Sequence, residues 1–383
     1  MKYVPFGKLG FEVSRYGLGC MRLPLELQPD GSTSTEAIDE KHAIAMIRHA
    51  ADSGVNYFDT AHGYHGGNSK IVLGKALSDG YRERVLVASK LPPWNVKTAD
   101  DFERILDEHL VALRTDHIDF WLLHSMNRES WEKLLNLGIL EHLDAMVAKG
   151  KIRFPAFSFH DDLDVFKEIL DAYDWKMCQI QYNLLDIDHQ AGRAGLKYAA
   201  GKGVPVVVME PLKGGRLAGN VPQYVLDRWA TAQTQRSPQE WAFRWLADQP
   251  EVTVVLSGAS NMDQLKDSLE IFQTAEVDAL SDAERRLVDE VRRLYQSRTR
   301  VDCTACDYCL PCPAGVAIPR IFALINEGSM YENWAEVQKR YAKLVDEGNG
   351  AKQCVACGNC EAVCPQSLEI IKDLKMAHQA LVP

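Results

Sequence analysis

The chain has 383 residues, 46% of them apolar, and a formal net charge of −10 from 53 acidic and 43 basic side chains. That length suits one large domain, or a barrel of about 250 residues with an appendage, and the acidic balance argues against nucleic acid as a partner, because phosphate binding needs a basic surface. The opening MKYVPFGKLGFEVSRYG has no apolar h-region and no apolar run reaches the length of a membrane span, so neither a signal peptide nor a membrane segment is expected and the expected location is cytoplasmic. Ten cysteines in such a chain favour metal binding or redox chemistry over disulfides.

Between Tyr16 and about Phe272, short apolar runs alternate with amphipathic stretches. The runs are YGLGCM (16–21), NYFDT (56–60), VLVASKL (85–91), IDFWLLH (118–124), PAFSFH (155–160), CQIQYN (178–183), VPVVVME (204–210) and TVVLSG (253–258). Helical patterns fall between them, at 36–53, 100–113 and 131–148, and the loops are short. Eight strand-then-helix units with nearly continuous apolar strands predict a closed parallel sheet, the (β/α)8 TIM barrel of the α/β class. An open doubly wound sheet is the alternative, but no G-x-G-x-x-G turn follows the first strand.

The texture changes after Leu280. SDAERRLVDEVRRLYQSRTR opens with a serine N-cap and an acidic first turn, then becomes arginine-rich, as a linking helix would. Its Arg285, Arg286, Arg292, Arg293, Arg298 and Arg300 suit a solvated, salt-bridged face, or contacts to the barrel, neighbouring carboxylates or a redox partner. The expected division is a barrel over 1–280, a linking helix over 281–300 and a mainly helical cysteine-bearing domain over 301–383. Within the last, IPRIFALINEGS and YENWAEVQKRYAKLVDEG read as helices between two cysteine runs.

The first run is Cys303, Cys306, Cys309 and Cys312, followed by Pro313; the second is Cys354, Cys357, Cys360 and Cys364, followed by Pro365. A zinc ribbon needs only a C-x-x-C pair from each side, whereas three cysteines at i, i+3 and i+6 wrap one corner of a cubane cluster. With a fourth before proline, the pattern resembles the two-cluster ferredoxins, where the fourth cysteine of each run ligates the other cluster. The resemblance implies two [4Fe-4S] clusters, one on Cys303, Cys306, Cys309 and Cys364, the other on Cys354, Cys357, Cys360 and Cys312. The first run has two residues before its last cysteine where the usual pattern has three. Residues 313–353 also exceed the spacing of a compact bacterial ferredoxin, so the likeness is to the helical ferredoxin modules of larger redox enzymes. Two zinc sites, each held by four cysteines, are the alternative. Cys20 and Cys178 lie in predicted barrel strands and read as core thiols.

Active sites of such barrels sit at the C-terminal ends of the strands. There the sequence places Asp59 and Tyr64 after the second strand, Lys90 in the third and His124 closing the fourth. A tyrosine with a pKa of about 10 exchanges protons poorly at neutral pH. A nearby ammonium is expected to lower that value, with a carboxylate orienting the lysine, while histidine can polarise a carbonyl or relay a proton. The set suits protonation of an alkoxide as hydride reaches a carbonyl carbon.

NYFDTAHGYHGGNSKIVLGKAL, VLVASKL, DFWLLHS and CQIQYNLLD resemble the aldo-keto reductase superfamily over residues 1 to about 275, whose tetrad maps onto Asp59, Tyr64, Lys90 and His124. The opening segment resembles that family's hairpin at the barrel floor, and the whole chain resembles its iron–sulfur branch. The resemblance implies NAD(P) contacts from Gly19, Met21, Ser158, Gln179 and Met209, from Pro211, Leu212, Lys213, Gly214 and Arg216 in EPLKGGRL, and from Gly258, Ser260 and Gln264 in SGASNMDQL. Phe159 replaces the usual asparagine after the serine, Met209 stands at an often aromatic position, and Gly258 and Gln264 replace the usual 2′-phosphate cations, so the resemblance does not support a preference for NADP over NAD. The loop LPLELQPDGSTSTEAI is expected over the pocket mouth, with Trp94 as an apolar wall or a cover for the barrel rim.

The leading expectation is an oxidoreductase that interconverts a small carbonyl and its alcohol by hydride transfer, with Tyr64 as general acid/base. Its clusters would exchange electrons with ferredoxin or another carrier. Clusters pass single electrons and nicotinamide a hydride, so a flavin would bridge the two regimes, although no flavin motif is visible. The rivals are an ordinary NAD(P)H-dependent reductase with structural or redox-sensing clusters, and a non-catalytic electron-transfer or regulatory subunit.

Overall fold

The computed structural model describes residues 1–27 and 33–382. Its contacts divide the chain into two compact units, Met1–Leu217 with Gln239–Asp282, and Ala218–Pro238 with the chain from Ala283 onward.

The first unit opens with an antiparallel pair, β1 (Tyr3–Pro5) and β2 (Glu12–Ser14). The first barrel strand, β3 (Tyr16–Gly19), precedes a second hairpin, β4 (Leu25–Leu27) and β5 (Thr33–Ile38). Then come β6 (Tyr57–Asp59), β7 (Leu86–Leu91), β8 (Ile118–Met126), β9 (Ile152–Phe159), β10 (Met177–Gln181), β11 (Val206–Met209) and β12 (Val252–Ser257). The eight from β3 and β6 to β12 close into a parallel barrel in the order β10-β11-β12-β3-β6-β7-β8-β9. Each of the eight apolar runs supplies one of them. Strands buried on both faces need apolar residues throughout, and β6 and β10 have no exposed residue.

The β1–β2 hairpin fills one end of the barrel. Phe6, fully buried, lies 5.6 Å from the Phe11 ring and 4.8 Å from the Phe120 ring. Around it pack Tyr57, Ala88, Met177, Val207 and Val254 from five barrel strands. The interior is thus a packed core, as side chains filling a closed eight-stranded sheet require.

Three local expectations need correction. The helix expected at 36–53 runs over Glu40–Asp52, because Thr33–Ile38 pairs with β4 instead; Asp39 caps the helix by accepting from the His42 amide at 3.1 Å. The loop expected over the pocket mouth is therefore a hairpin at its described ends, and its centre, 28–32, lies outside the described residues. The stretch 131–148 is two helices, Arg128–Asn136 and Ile139–Ala148, broken at Gly138, whose φ of 77° glycine adopts without the cost a side chain would add. The helix at 100–113 is observed as expected.

In the second unit, residues 218–238 leave the barrel sequence between β11 and the helix Pro238–Ala247 and carry the short helix Gln223–Trp229. Tyr224 Oη donates to the Met330 carbonyl at 2.5 Å, Arg228 pairs with Glu290, and Arg236 Nη1 lies 2.5 Å from Glu284. The arginine-rich helix spans Asp282–Gln296. Its arginines are only partly a solvated face: Arg292 is buried and donates to Asp289, and just beyond the helix Arg298 lies over the Tyr224 ring at 4.4 Å. The helices Ile318–Tyr331, Trp334–Asp346 and Ile370–Leu381 bury Ile321, Phe322, Ile325, Val337, Leu344, Leu374 and Leu381 in a separate core. Among the described residues no helix is long and apolar enough to cross a membrane.

Replacing Phe6 by alanine removes the central ring of the barrel floor. Phe6→Ala is expected to lower the free energy of unfolding by about 3–5 kcal/mol, read from the midpoint of denaturant unfolding.

Candidate active site and metal centre

The strand ends bring Asp59, Tyr64, Lys90 and His124 together. Asp59 closes β6 and lies beside Ala88 of β7, so Lys90, two residues further along, reaches back across the strand pair. Its ammonium bonds the Asp59 carboxylate, the Thr60 carbonyl at 2.9 Å and the Tyr64 hydroxyl at 3.2 Å. Gln179 on β10 donates to the other Asp59 oxygen at 3.2 Å. Tyr64 follows in a tight turn, with its ring edge-on to His124 at 6.1 Å. Lys90 and Asp59 are each 1% exposed, so they form a buried ion pair with its remaining bonding capacity filled.

Burial pushes the Asp59 carboxyl up, and Lys90 opposes the push. For Lys90, burial works against the charge, but Asp59 and Tyr64 outweigh it and the ammonium lies above its ordinary range. The tyrosine departs from expectation. Lys90 does pull the Tyr64 phenol down, but burial pushes harder, and the net value lies above the usual 10. At neutral pH the group is therefore a protonated phenol, already in the form that donates.

His124 sits on a bulge. The β8–β9 register shifts between Leu123 and Met126, leaving His124 and Ser125 as the irregular residues, with Ser125 at φ 53°. Such bulges re-aim side chains beside active sites. The displaced Ser125 amide is satisfied by the Ser158 hydroxyl at 2.8 Å. Burial, then the charge of Lys90, holds the imidazole down to about 2, and its buried Nδ1 has no partner among the described residues. Trp94, 60% exposed, lies with its ring 5.1 Å from that of His124.

The residues expected to hold a dinucleotide ring the same strand ends. Ser158 serves the bulge and Gln179 serves Asp59, while Met209 ends β11 and is half-buried. Gly19 ends β3 and faces Gly258 across the neighbouring strand end; the Arg22 stem lies over Gly258, and Met21 beside it is exposed. Residues 211–217 form a tight turn with Gly214 at φ 67°. Lys213 in that turn pairs with Asp186, which also accepts from Gln181 at 3.0 Å and Asn183 at 3.1 Å. Nothing in the spacing of QYNLLD marks Asp186 for this role. Ser260, Asn261 and Gln264 build the N-terminus of the helix Met262–Thr274: Gln264 Oε1 accepts from the Ser260 amide and Asn261 Oδ1 from the Gln264 amide, both at 2.9 Å. The geometry fits a dinucleotide cradle that already satisfies part of its own polar groups.

The eight cysteines of the two runs lie in the second unit. Cys303, Cys306, Cys309 and Cys364 line one cavity, with Ile318, Phe322, Leu368 and Ile370 at its back. Six of the eight, all but Cys306 and Cys357, pack against the helical core. Asn326 staples the entry to the first run, accepting from the Val301 amide at 3.0 Å and donating to its carbonyl at 2.7 Å. Tyr341 does the same before the second run, accepting from the Ala351 amide at 3.1 Å. Burial raises the Cys309 thiol to about 11; burial raises Cys303 as well, and Cys306 and Cys364 push it further. Four soft thiol donors lining one cavity have the chemistry of iron–sulfur cluster ligands. Cys20 and Cys178 are buried barrel thiols.

The depressed His124 imidazole carries a stability consequence. Its folded pKa, about 2, lies below the unfolded value of about 6.5, so the unfolded chain takes up a proton that the folded site refuses. The stabilisation is complete above pH 6.5 and declines as pH falls below it. Between pH 7 and pH 5 the loss is expected to be about 2 kcal/mol, and denaturant unfolding of His124→Gln at both pH values is expected to lack that share.

Comparison with known proteins agrees with this geometry. Residues 17–293 match the family model described as the aldo/keto reductase family, and residues 302–369 match that of a 4Fe-4S dicluster domain. The NADH-specific methylglyoxal reductase of Escherichia coli is 25% identical, with 76% of this chain covering 98% of that protein. An aldo-keto reductase of Bacillus subtilis is 28% identical, over 71% and 88% of the two chains. The holo form of an aldo-keto reductase from Bacillus halodurans shares the fold with a TM-score of 0.63, at 24% identity over 76% of this chain and 96% of that one. The chain belongs to the aldo/keto reductase family and carries a C-terminal 4Fe-4S dicluster domain.

Proposed function

We propose that the barrel reduces a small carbonyl compound, and in reverse oxidises the alcohol, with Tyr64 as the proton donor and acceptor. The observation that carries this reading is the Lys90 ammonium bonded at once to Asp59, Thr60 and Tyr64 at the strand ends. A nicotinamide held by the residues around Gly19, Gln179, Met209, 211–217 and Gly258 would supply or accept the hydride. Tyr64 donates its proton to the carbonyl oxygen as negative charge develops there. The phenolate left behind faces Lys90, whose charge stabilises it, while Asp59 keeps that ammonium oriented and charged. His124 stays neutral and presents an uncharged imidazole beside the reacting oxygen rather than a competing acid. Trp94 covers an apolar edge of the site, which suits a small substrate; the E. coli relative takes its name from methylglyoxal.

For the second unit we propose crossed ligation, with Cys303, Cys306, Cys309 and Cys364 holding one [4Fe-4S] cluster and Cys354, Cys357, Cys360 and Cys312 the other. Support comes from the cavity that gathers the first set from both runs. The clusters would store single electrons and exchange them with ferredoxin or another carrier. A second reading has its own observation: the E. coli relative is covered over 98% of its length by only 76% of this chain, so a named reductase of similar sequence has no counterpart for the remaining quarter. In that reading the clusters are structural or sense redox state.

Tyr64→Phe is expected to lower kcat/KM for methylglyoxal reduction by about 10²–10⁴, with the dinucleotide dissociation constant unchanged. Unchanged turnover would remove the proton-donor role. Because reduction needs the phenol and oxidation the phenolate, raising the pH through the Tyr64 pKa is expected to slow reduction and speed oxidation. Iron and sulfide analysis of anaerobically purified protein is expected to give two clusters' worth. Cys364→Ser should remove the cluster lost in Cys303→Ser, and Cys312→Ser the one lost in Cys354→Ser; zinc without sulfide, or loss in the uncrossed pairing, rejects the assignment. If chemical reduction of the clusters leaves NADH turnover unaltered, the structural reading stands.

A further inference from the structure

The turn that presents Tyr64 is held in a conformation it would not adopt by itself. His65, Gly66 and Gly67 follow one another in the left-handed region, at φ 52°, 62° and 96°. A run of this kind, with a non-glycine residue in it, persists only where the surroundings over-determine it. The group placed to do so is Lys70, the third residue of the helix Asn68–Ala76 and only 8% exposed. Its ammonium donates to the carbonyl of His62 and to that of Gly67, both at 3.1 Å. Those two carbonyls bracket Tyr64, one before it and one after.

Lys70 makes no hydrogen bond to a carboxylate among the described residues; Glu108 acts on it only through space. Burying an ammonium on neutral carbonyls is an expensive way to stabilise a turn, since an apolar residue of similar volume would avoid the desolvation. A lysine there is accounted for by what its two bonds fix. Other contacts anchor the same segment: Thr60 Oγ1 meets Ser69 Oγ at 2.8 Å, His62 Nδ1 meets His109 Nε2 at 3.2 Å, and the Leu23 amide donates to His65 Nε2 at 3.3 Å. The Thr60–Ser69 contact also joins the two sides of Tyr64, but through side chains outside the turn, whereas Lys70 holds backbone carbonyls of the segment itself.

We propose that Lys70 is the positioning residue of Tyr64: by clamping the carbonyls of His62 and Gly67 it holds the phenol within hydrogen-bond reach of Lys90. The inference rests on the reading of Tyr64 as proton donor. Both hydrogen bonds of Lys70 go to backbone carbonyls of the turn, so its loss should slow the chemical step and leave binding alone. In the cluster-loaded enzyme, with methylglyoxal and NADH as probes, Lys70→Met is expected to lower kcat by about 10–100-fold, the scale of a small misplacement of a reacting group. KM for methylglyoxal and the NADH dissociation constant should stay within about twofold, and Lys70→Arg should recover part of kcat by restoring charged donors. Lys70→Gln, which keeps a donor without the charge, is read the same way should the methionine variant fail to fold. A lower melting temperature with kcat within about twofold of the parent overturns the proposal, as does an equal rise in KM. Tyr64→Phe separates the two claims. If it abolishes turnover while the Lys70 variants do not slow it, only the clamp falls; if it has no effect, both fall.

Discussion

The first unit depends on one buried charge. Lys90 carries an ammonium at 1% exposure inside the barrel, where an unpaired cation would shed its proton or unfold its surroundings. Its compensation dictates positions on two adjacent strands: Asp59 must end β6, the Thr60 carbonyl must turn inward, and the Tyr64 hydroxyl must complete the donor's coordination. Parallel pairing of β6 with β7, Asp59 beside Ala88, makes that geometry available. The interaction that makes the cation tolerable also gives it chemistry, since the softest of its partners is a phenol that can ionise. Burial of the same site keeps that phenol protonated at neutral pH.

Polar satisfaction spreads outward from there. A bulge is needed to aim His124, and the amide it frees is filled by Ser158. The second Asp59 oxygen is filled by Gln179. These are two of the residues that the family resemblance assigns to the nicotinamide carboxamide, and each retains bonding capacity beyond the contact described, because a serine oxygen has a further lone pair and an amide a further acceptor. At this barrel mouth, residues expected to bind a dinucleotide also carry structural contacts. Lys213 shows the same economy: a residue suited to a phosphate is held by Asp186.

In the second unit the order of dependence is reversed. An apolar core comes first there: three helices build it, and Asn326 and Tyr341 tie the irregular cysteine runs to that core by backbone hydrogen bonds. Residues 218–238, inserted in sequence directly after the turn 211–217, belong to this unit through Tyr224, Arg228 and Arg236. No local pattern announces the excursion, because its anchors lie more than forty residues away in sequence.

Much of this molecule is legible in its sequence. The eight strands can be read because parallel strands buried on both faces must be apolar throughout, and Asp59, Lys90 and His124 because a polar residue at the end of such a run is conspicuous. The cysteine runs are legible because cluster ligands have a spacing set by the cubane. Tertiary structure alone decided the rest. It placed Thr33–Ile38 in a hairpin rather than in a loop that enters a helix at Glu36, since the pairing partner, not the local pattern, selected the state. It set the Tyr64 phenol above rather than below its usual value, because the cost of burial is a property of everything packed around the ring and outweighs the single lysine visible in the sequence. It also gathered Lys70 with the carbonyls of His62 and Gly67, contacts that spacing along a chain does not encode, whereas the grouping of Cys364 with Cys303, Cys306 and Cys309 is already implied by the ferredoxin resemblance.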